Sequence, residues 1–219
     1  MVDRVQPSTT FAWPIYADAT LAGLAVLVPV PGLDWWLERL FRQRMPGAIA
    51  QYRQTTLRPD ILDALMPSSR GCASIGLGLL FKVPVALIKR LSRKILYVLT
   101  IKDAANQLSY YWQRAFLLDH MLTSGHLATP PSARIARQAM EDVLATSPTP
   151  LTRLARTVVR SSRDVWRTLQ RARQGHETEV LPQQQAAMQQ EWGKYEAGLQ
   201  ALATSYDRRY HQRMRIQTP

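Results

Sequence analysis

Apolar residues recur along most of the chain at the three- and four-residue intervals of an α-helix. Residues 15–28 are almost wholly apolar, and the same intervals return in residues 57–66, 104–122 and 133–145. Such spacing puts apolar side chains on one face of a helix, and no segment shows comparable strand-like alternation. In residues 34–53 the apolar face comprises Trp36, Leu37, Leu40, Phe41 and Ile49. The sequence therefore predicts an all-α protein.

Proline divides several of these segments. Pro29, Pro31 and Gly32 should end the first helix, because proline lacks an amide donor and keeps the preceding residue out of the helical region. The same reasoning predicts a kink or an interruption of the second helix at Pro46. Residues 147–150, which contain two prolines, are the best candidate for a linker.

After this linker the pattern changes to two narrow apolar seams, in residues 151–174 and from Pro182 to about Met214. Narrow seams joined by a short connection predict an antiparallel helical hairpin. We expect it to project as an arm for self-association or for a protein partner. The predicted units are an N-terminal arm in residues 1–14, a helical domain in residues 15–147 and the hairpin in residues 151–219.

The segment from Gly71 to Lys102 combines an apolar run with a basic helix. Residues 71–81 are uncharged, and residues 80–102 contain cations at helical spacing and no acid until Asp103. An apolar face opposite a cationic face is typical of a helix that lies in an anionic membrane surface. A core helix with a solvated polar face is the alternative. The predicted lipid contacts are Lys82, Lys89, Arg90, Arg93 and Lys94 for headgroups, and Phe81, Leu87, Leu91 and Ile95 for the acyl boundary.

The overall charge agrees with a polyanionic partner. The 219 residues carry a net charge of +12, which favours an anionic membrane or nucleic acid. No run approaches the roughly 20 apolar residues of a spanning helix, and no signal peptide is predicted. The single cysteine, Cys72, excludes an intramolecular disulfide.

An arginine stripe in residues 153–173 supports a second interpretation. It contains arginine and no lysine, which suits bidentate contact with phosphate. The candidate phosphate contacts are Arg153, Arg156, Arg160, Arg163 and Arg167. On this alternative the chain is a nucleic-acid or ribonucleoprotein accessory protein. A third alternative is a structural subunit of a membrane protein complex, with its apolar faces buried against other chains.

No catalytic, metal or cofactor site is predicted. Of the four histidines, only His120 and His126 lie near each other in sequence, and a metal site needs three or four ligands. Asp34 and Glu38 share a helix face, but Asp34 is expected to cap the helix. The chain has no nucleophile-elbow serine of the G-x-S-x-G type. We therefore expect a non-enzymatic protein with no cofactor.

One family resemblance fits the membrane interpretation. It is carried by Pro29, Pro31, Gly32, Asp34, Gln43, Met45, Ile49 and Ala50, and by the apolar run in residues 75–80. Over about residues 20–100 the chain resembles an uncharacterised bacterial helical domain that accompanies some small GTPases and occurs in inner-membrane proteins. The resemblance implies membrane association and no reaction. The chain has no phosphate-binding GxxxxGK loop, so any nucleotide-linked role would belong to a partner.

Together these patterns predict proline-broken apolar helices packed with a basic amphipathic helix, followed by the hairpin. The expected function is that of a membrane-associated scaffold or accessory subunit. The expected location is the cytoplasmic face of a bacterial membrane, as a peripheral or monotopic protein.

Overall fold

The computed structural model describes residues 11–27, 33–66, 93–146, 151–161 and 182–217. These residues form helices, turns and short connections without any strand, which confirms the prediction of an all-α protein. The α-helices are α1 (Trp13–Leu24), α2 (Leu33–Tyr52), α3 (Pro59–Leu65), α4 (Arg93–Thr123), α5 (Pro130–Thr146), α6 (Thr152–Ser161), α7 (Pro182–Glu191) and α8 (Glu196–Gln217). Short 3₁₀ helices follow α1, at Ala25–Leu27, and α7, at Trp192–Tyr195.

Helix α1 lies at the centre of the fold. Its residues from Ile15 to Leu24 are all buried, and it packs against both α2 and α4. A helix enclosed on every side needs no polar face, which explains its almost uniform apolar composition. At the crossing of α1 and α4, Gly23 lies against the backbone of Leu108, so the absence of a side chain permits the close approach.

Helix α2 runs without interruption through Pro46, so an interruption there is a wrong prediction. Proline removes one backbone hydrogen bond, but Met45 and Ile49 on either side of it are fully buried in the core. Their burial stabilises the helical conformation that Pro46 alone disfavours.

Two helix ends follow local sequence signals. Helix α3 begins at Pro59, within the segment predicted as helical at residues 57–66, and its proline occupies the first turn, where no amide donor is needed. Helix α4 ends before Gly125, whose φ of +73° is left-handed, and the His126 amide donates to the Met121 carbonyl oxygen at 3.0 Å. The start of α4 differs from the prediction, because one helix from Arg93 to Thr123 joins the end of the basic segment to the segment predicted at 104–122.

The described part of the C-terminal region packs onto the rest of the protein. Helix α6 contacts α4 and α7, and α8 contacts α5 and α4. The seam side chains Leu151, Leu154, Val158, Met188, Trp192, Leu199, Leu202, Tyr206 and Tyr210 all belong to the core that contains α1. The prediction of a projecting arm is therefore wrong for these residues, because the described parts of both seams are covered within the same chain.

The first described residues also join this core. Phe11 and Trp13 fall in the predicted N-terminal arm, yet Trp13 is buried. The Phe11 ring stacks on Tyr16 at 5.7 Å between ring centres and lies 5.2 Å from the ring centre of Trp192. Helix α1 is thus connected to the C-terminal region through aromatic contacts.

Candidate functional site

The predicted lipid contacts fall largely outside the part of the chain that the structure describes. This holds for Phe81, Lys82, Leu87, Lys89, Arg90 and Leu91. Arg93, Lys94 and Ile95 belong to the first turn of α4, and their side chains are likewise outside the described set. Lys102, at the end of the basic segment, is exposed.

The arginine stripe is described only at its beginning. Arg153 and Arg156 are exposed on α6, while Leu154 and Val158 of the same helix are buried. The side chain of Arg160 and the residues Arg163 and Arg167 lie outside the described residues. The structure therefore places two of the five candidate phosphate contacts in solvent.

Two adjacent tryptophans project from the start of α2. Trp35 is 58% exposed and Trp36 is 38% exposed, whereas Leu37 and Phe41 face the core. The guanidinium carbon of Arg39 lies 5.5 Å from the ring centre of Trp35, which is within cation–π distance. Large exposed apolar side chains with adjacent cations are typical of interaction surfaces rather than of an inert surface. We call Trp35, Trp36 and Arg39 the tryptophan patch.

The sequence pattern misplaced one member of this patch. Trp36 was predicted on the apolar face of the second helix, but its indole is partly exposed. Adjacent helical residues point about 100° apart, so Trp35, Trp36 and Leu37 cannot all face one core. The structure shows that Leu37 takes the core position.

The solvent face of α2 continues from the tryptophan patch with no acidic residue. It passes through exposed Gln43, Gly47 and Gln51, which follow at intervals of four residues. Gly47 and Gln51 also line an open hollow of about 360 Å³, together with Gln54, Thr55 and Leu57. The polar groups of this lining are neutral amides and hydroxyls, so the hollow itself offers no charged group to a ligand.

Buried polar contacts fix the position of α2 against α4. The Arg53 guanidinium donates to both carboxylate oxygens of Asp119, each at 2.7 Å, and this bond raises the pKa of Arg53 further. The Tyr111 hydroxyl donates to Glu38. Glu38 is thus engaged in packing between α2 and α4. The tryptophan patch is therefore carried on a helix that is held at both ends.

The structure gathers three of the four histidines at the junction of α4 and α8. His120 Nε2 lies 2.8 Å from Asp207, and His126 Nδ1 shares a hydrogen bond with the Tyr206 hydroxyl at 3.0 Å. The His126 ring stacks on Tyr210 at 3.9 Å and lies 6.1 Å from His211, measured between ring centres. Burial lowers the pKa of His126 to about 4.

The proximity of His211 was missed, because only its position on α8 brings it near His126. Within the described ranges, no group of three or more His, Cys, Asp or Glu side chains is arranged to hold a metal ion. We interpret the histidines as part of the packing between α4 and α8.

Comparison of the chain with protein-family models, with curated proteins and with solved structures finds no match in any of the three. The resemblance over residues 20–100 therefore stays a prediction. Among the described helices, none combines the length and the apolar character needed to cross a bilayer.

Proposed function

We propose that this chain is a non-enzymatic, membrane-associated helical protein that acts as a scaffold or accessory subunit at the cytoplasmic face of the membrane. The observation that carries the proposal is the tryptophan patch, in which the Trp35 indole is largely exposed beside the Arg39 guanidinium and the Trp36 indole is partly exposed. Tryptophan suits the membrane interface because its ring is apolar while its N–H can bond to headgroups or water.

The exposed indole surface of the tryptophan patch is large enough for reversible binding to a membrane. The exposed fractions of 58% and 38% correspond to roughly 200 Å² of indole surface, and burying it contributes on the order of 5 kcal/mol before the cost of ordering. Each cation near an anionic leaflet adds about 1 kcal/mol. Arg39 and the cations of residues 82–102 supply several such charges, within a net charge of +12.

Flotation with liposomes tests the proposal. Wild-type protein should float with anionic vesicles at low salt and should be retained in part at high salt, because salt screens the charges but not the indole contacts. Trp35→Ala with Trp36→Ala should abolish the salt-resistant part. Ile216→Ala, which shortens a side chain that is 75% exposed at the far end of α8, is the matched control and should float as wild type does.

The basic segment has its own variant. Arg90→Glu with Lys94→Glu should release the protein from anionic vesicles by reversing two charges. Unchanged flotation of this variant would exclude the basic segment from binding, and unchanged flotation of the tryptophan double variant would refute the proposal for the tryptophan patch.

One structural observation favours the nucleic-acid alternative, namely the exposure of Arg153 and Arg156 on α6. If the wild-type protein does not float, salt-dependent binding to single-stranded RNA should be measured for wild type and for Arg153→Gln with Arg156→Gln. Loss of RNA binding in that variant would replace the membrane proposal with the alternative.

A further inference from the structure

Helix α1 contains one carboxyl group that no described contact explains. Asp18 is only 3% exposed, and neither of its carboxylate oxygens has a hydrogen-bond partner among the residues that the structure describes. Buried polar groups are nearly always hydrogen-bonded, so an orphaned buried carboxylate requires an explanation. An ionised carboxylate in such a place is unfavourable, whereas the protonated form loses much less solvation on burial.

The charges around Asp18 do not compensate for its burial. On α2, the Arg44 guanidinium lowers the pKa of Asp18, but burial has the larger effect and raises the value to about 6. Thr20, two residues further along and on the opposite face of α1, contacts Trp112 of α4 and Met188 of α7, neither of which is charged.

The paired charges of Arg53, directly after α2, and Asp119 of α4 act on Tyr16, which lies on the opposite side of α1 from Asp18. Among the described residues, Arg44 is the charged group that acts on Asp18.

We propose that Asp18 is a proton-sensitive contact that keeps α1 firmly packed on α2 while its carboxyl group is protonated and loosens this helix pair when the carboxylate ionises. Loosening lets water reach the carboxylate, which removes the penalty of burial. Because the chain passes from α1 through residues 25–32 into α2, the contact also controls how firmly the start of α2 is held.

The direction of the pH effect follows from the two pKa values. The pKa of Asp18 is 3.8 in its ordinary state and about 6 in the fold. Because the pKa is raised in the fold, the stabilising contribution of Asp18 is complete below about pH 4. This contribution is lost as the pH rises through about 6, and by pH 8 the equilibrium for opening should have increased about a hundredfold.

Hydrogen exchange measured by mass spectrometry tests the proposal on the whole chain without lipid. Opening equilibria for peptides from α1 and α2, corrected for intrinsic exchange rates, would be compared from pH 5 to pH 8. Over this range wild type should show a rise of about tenfold, because the rest of the hundredfold change lies below pH 5, and Asp18→Asn should remove it. Asp103→Asn, which neutralises an exposed acid on α4, is the matched control and should behave as wild type.

A second variant keeps the proposal testable if Asp18→Asn does not fold. Arg44→Gln removes the charge that lowers the pKa of Asp18 in the fold, so loosening should continue to higher pH than in wild type and its midpoint should move upward. A wild-type response that is flat across this range, or the same response in Asp18→Asn, would overturn the proposal. An unshifted midpoint in Arg44→Gln would also overturn it.

The tryptophan patch lies at the start of α2, and an effect of this loosening on membrane binding by the patch would rest on the proposed function. The exchange experiment does not depend on vesicles, so its failure can be distinguished from a failure of flotation.

Discussion

At the crossing of α1 and α4 there is no room for a methyl group on Gly23. A Cβ atom there would lie 2.5 Å from Leu108 Cα, 2.8 Å from its Cδ1 and 3.0 Å from its Cβ. Non-bonded carbon atoms prefer separations of about 3.5–4.0 Å. Gly23→Ala would therefore force α1 away from α4 by roughly 1 Å at this point.

The size of the effect follows from the atoms involved. The nearest atom belongs to the backbone of α4, so no side-chain rotation can relieve the overlap. Overpacking of a core costs about 1–3 kcal/mol, occasionally more. Separation of the helices would also weaken the 2.9 Å hydrogen bond from Trp112 to Thr20, whose net value is about 1 kcal/mol. Alanine offsets part of this through its higher helix propensity, by about 1 kcal/mol.

We therefore expect Gly23→Ala to lower the free energy of unfolding by about 3 kcal/mol, measured by urea denaturation followed by circular dichroism. Gly47→Ala is the matched control, because Gly47 is an exposed glycine within α2 with no atom in reach of an added Cβ. It should stabilise the protein by about 0.5–1 kcal/mol through propensity alone. If both variants gained stability, the close approach of α1 and α4 would be refuted.

Three further predictions concern single contacts. Asp119→Asn breaks the largely buried ion pair with Arg53 and should lower the free energy of unfolding by about 3 kcal/mol. Arg58→Ala removes an exposed pair with Asp60 and should change it by less than about 1 kcal/mol. Equal effects of the two variants in urea denaturation would contradict this ranking. Gln54→Gly should stabilise the protein by about 1 kcal/mol, because Gln54 has a φ of +54° that glycine adopts without strain, and an unchanged or lower urea midpoint would refute it. Because the pKa of His126 is lowered from 6.5 to about 4, its stabilising contribution is complete above pH 6.5 and is lost as the pH falls toward 4. Thermal melting between pH 7.5 and pH 5 should therefore show a smaller loss for His126→Phe than for wild type, and equal losses would argue against a role for His126.

The local rules of helix formation predicted much of the fold. Pro59 begins α3 and Gly125 ends α4, because each residue acts on the backbone of its own turn. Pro46 is the exception, since the burial of neighbouring core residues outweighs its local effect. The seams of the C-terminal region were also recognised as apolar, but periodicity does not specify which surface covers them.

The contacts that define the candidate site depend on residues far apart in the chain. Arg53 and Asp119 are separated by 66 positions, and His120 and Asp207 by 87. No local pattern contains information about such pairs, so they could not be predicted from one sequence. The burial of Asp18 has the same cause, because the helices that pack around α1 come from distant parts of the chain.

Measurements of stability can show whether the tryptophan patch contributes to the fold, and this result decides whether the patch should be interpreted as a binding surface. Leu37 and Phe41 already fill the core side of the first two turns of α2, so the fold does not require the exposed indole of Trp35. Trp35→Ala with Trp36→Ala should lower the free energy of unfolding by less than Phe41→Ala, which should cost about 3–5 kcal/mol. A folded double variant that no longer floats would assign the indoles to membrane binding. A double variant as unstable as Phe41→Ala would show that they serve the fold, and the membrane proposal would then lose the observation on which it depends.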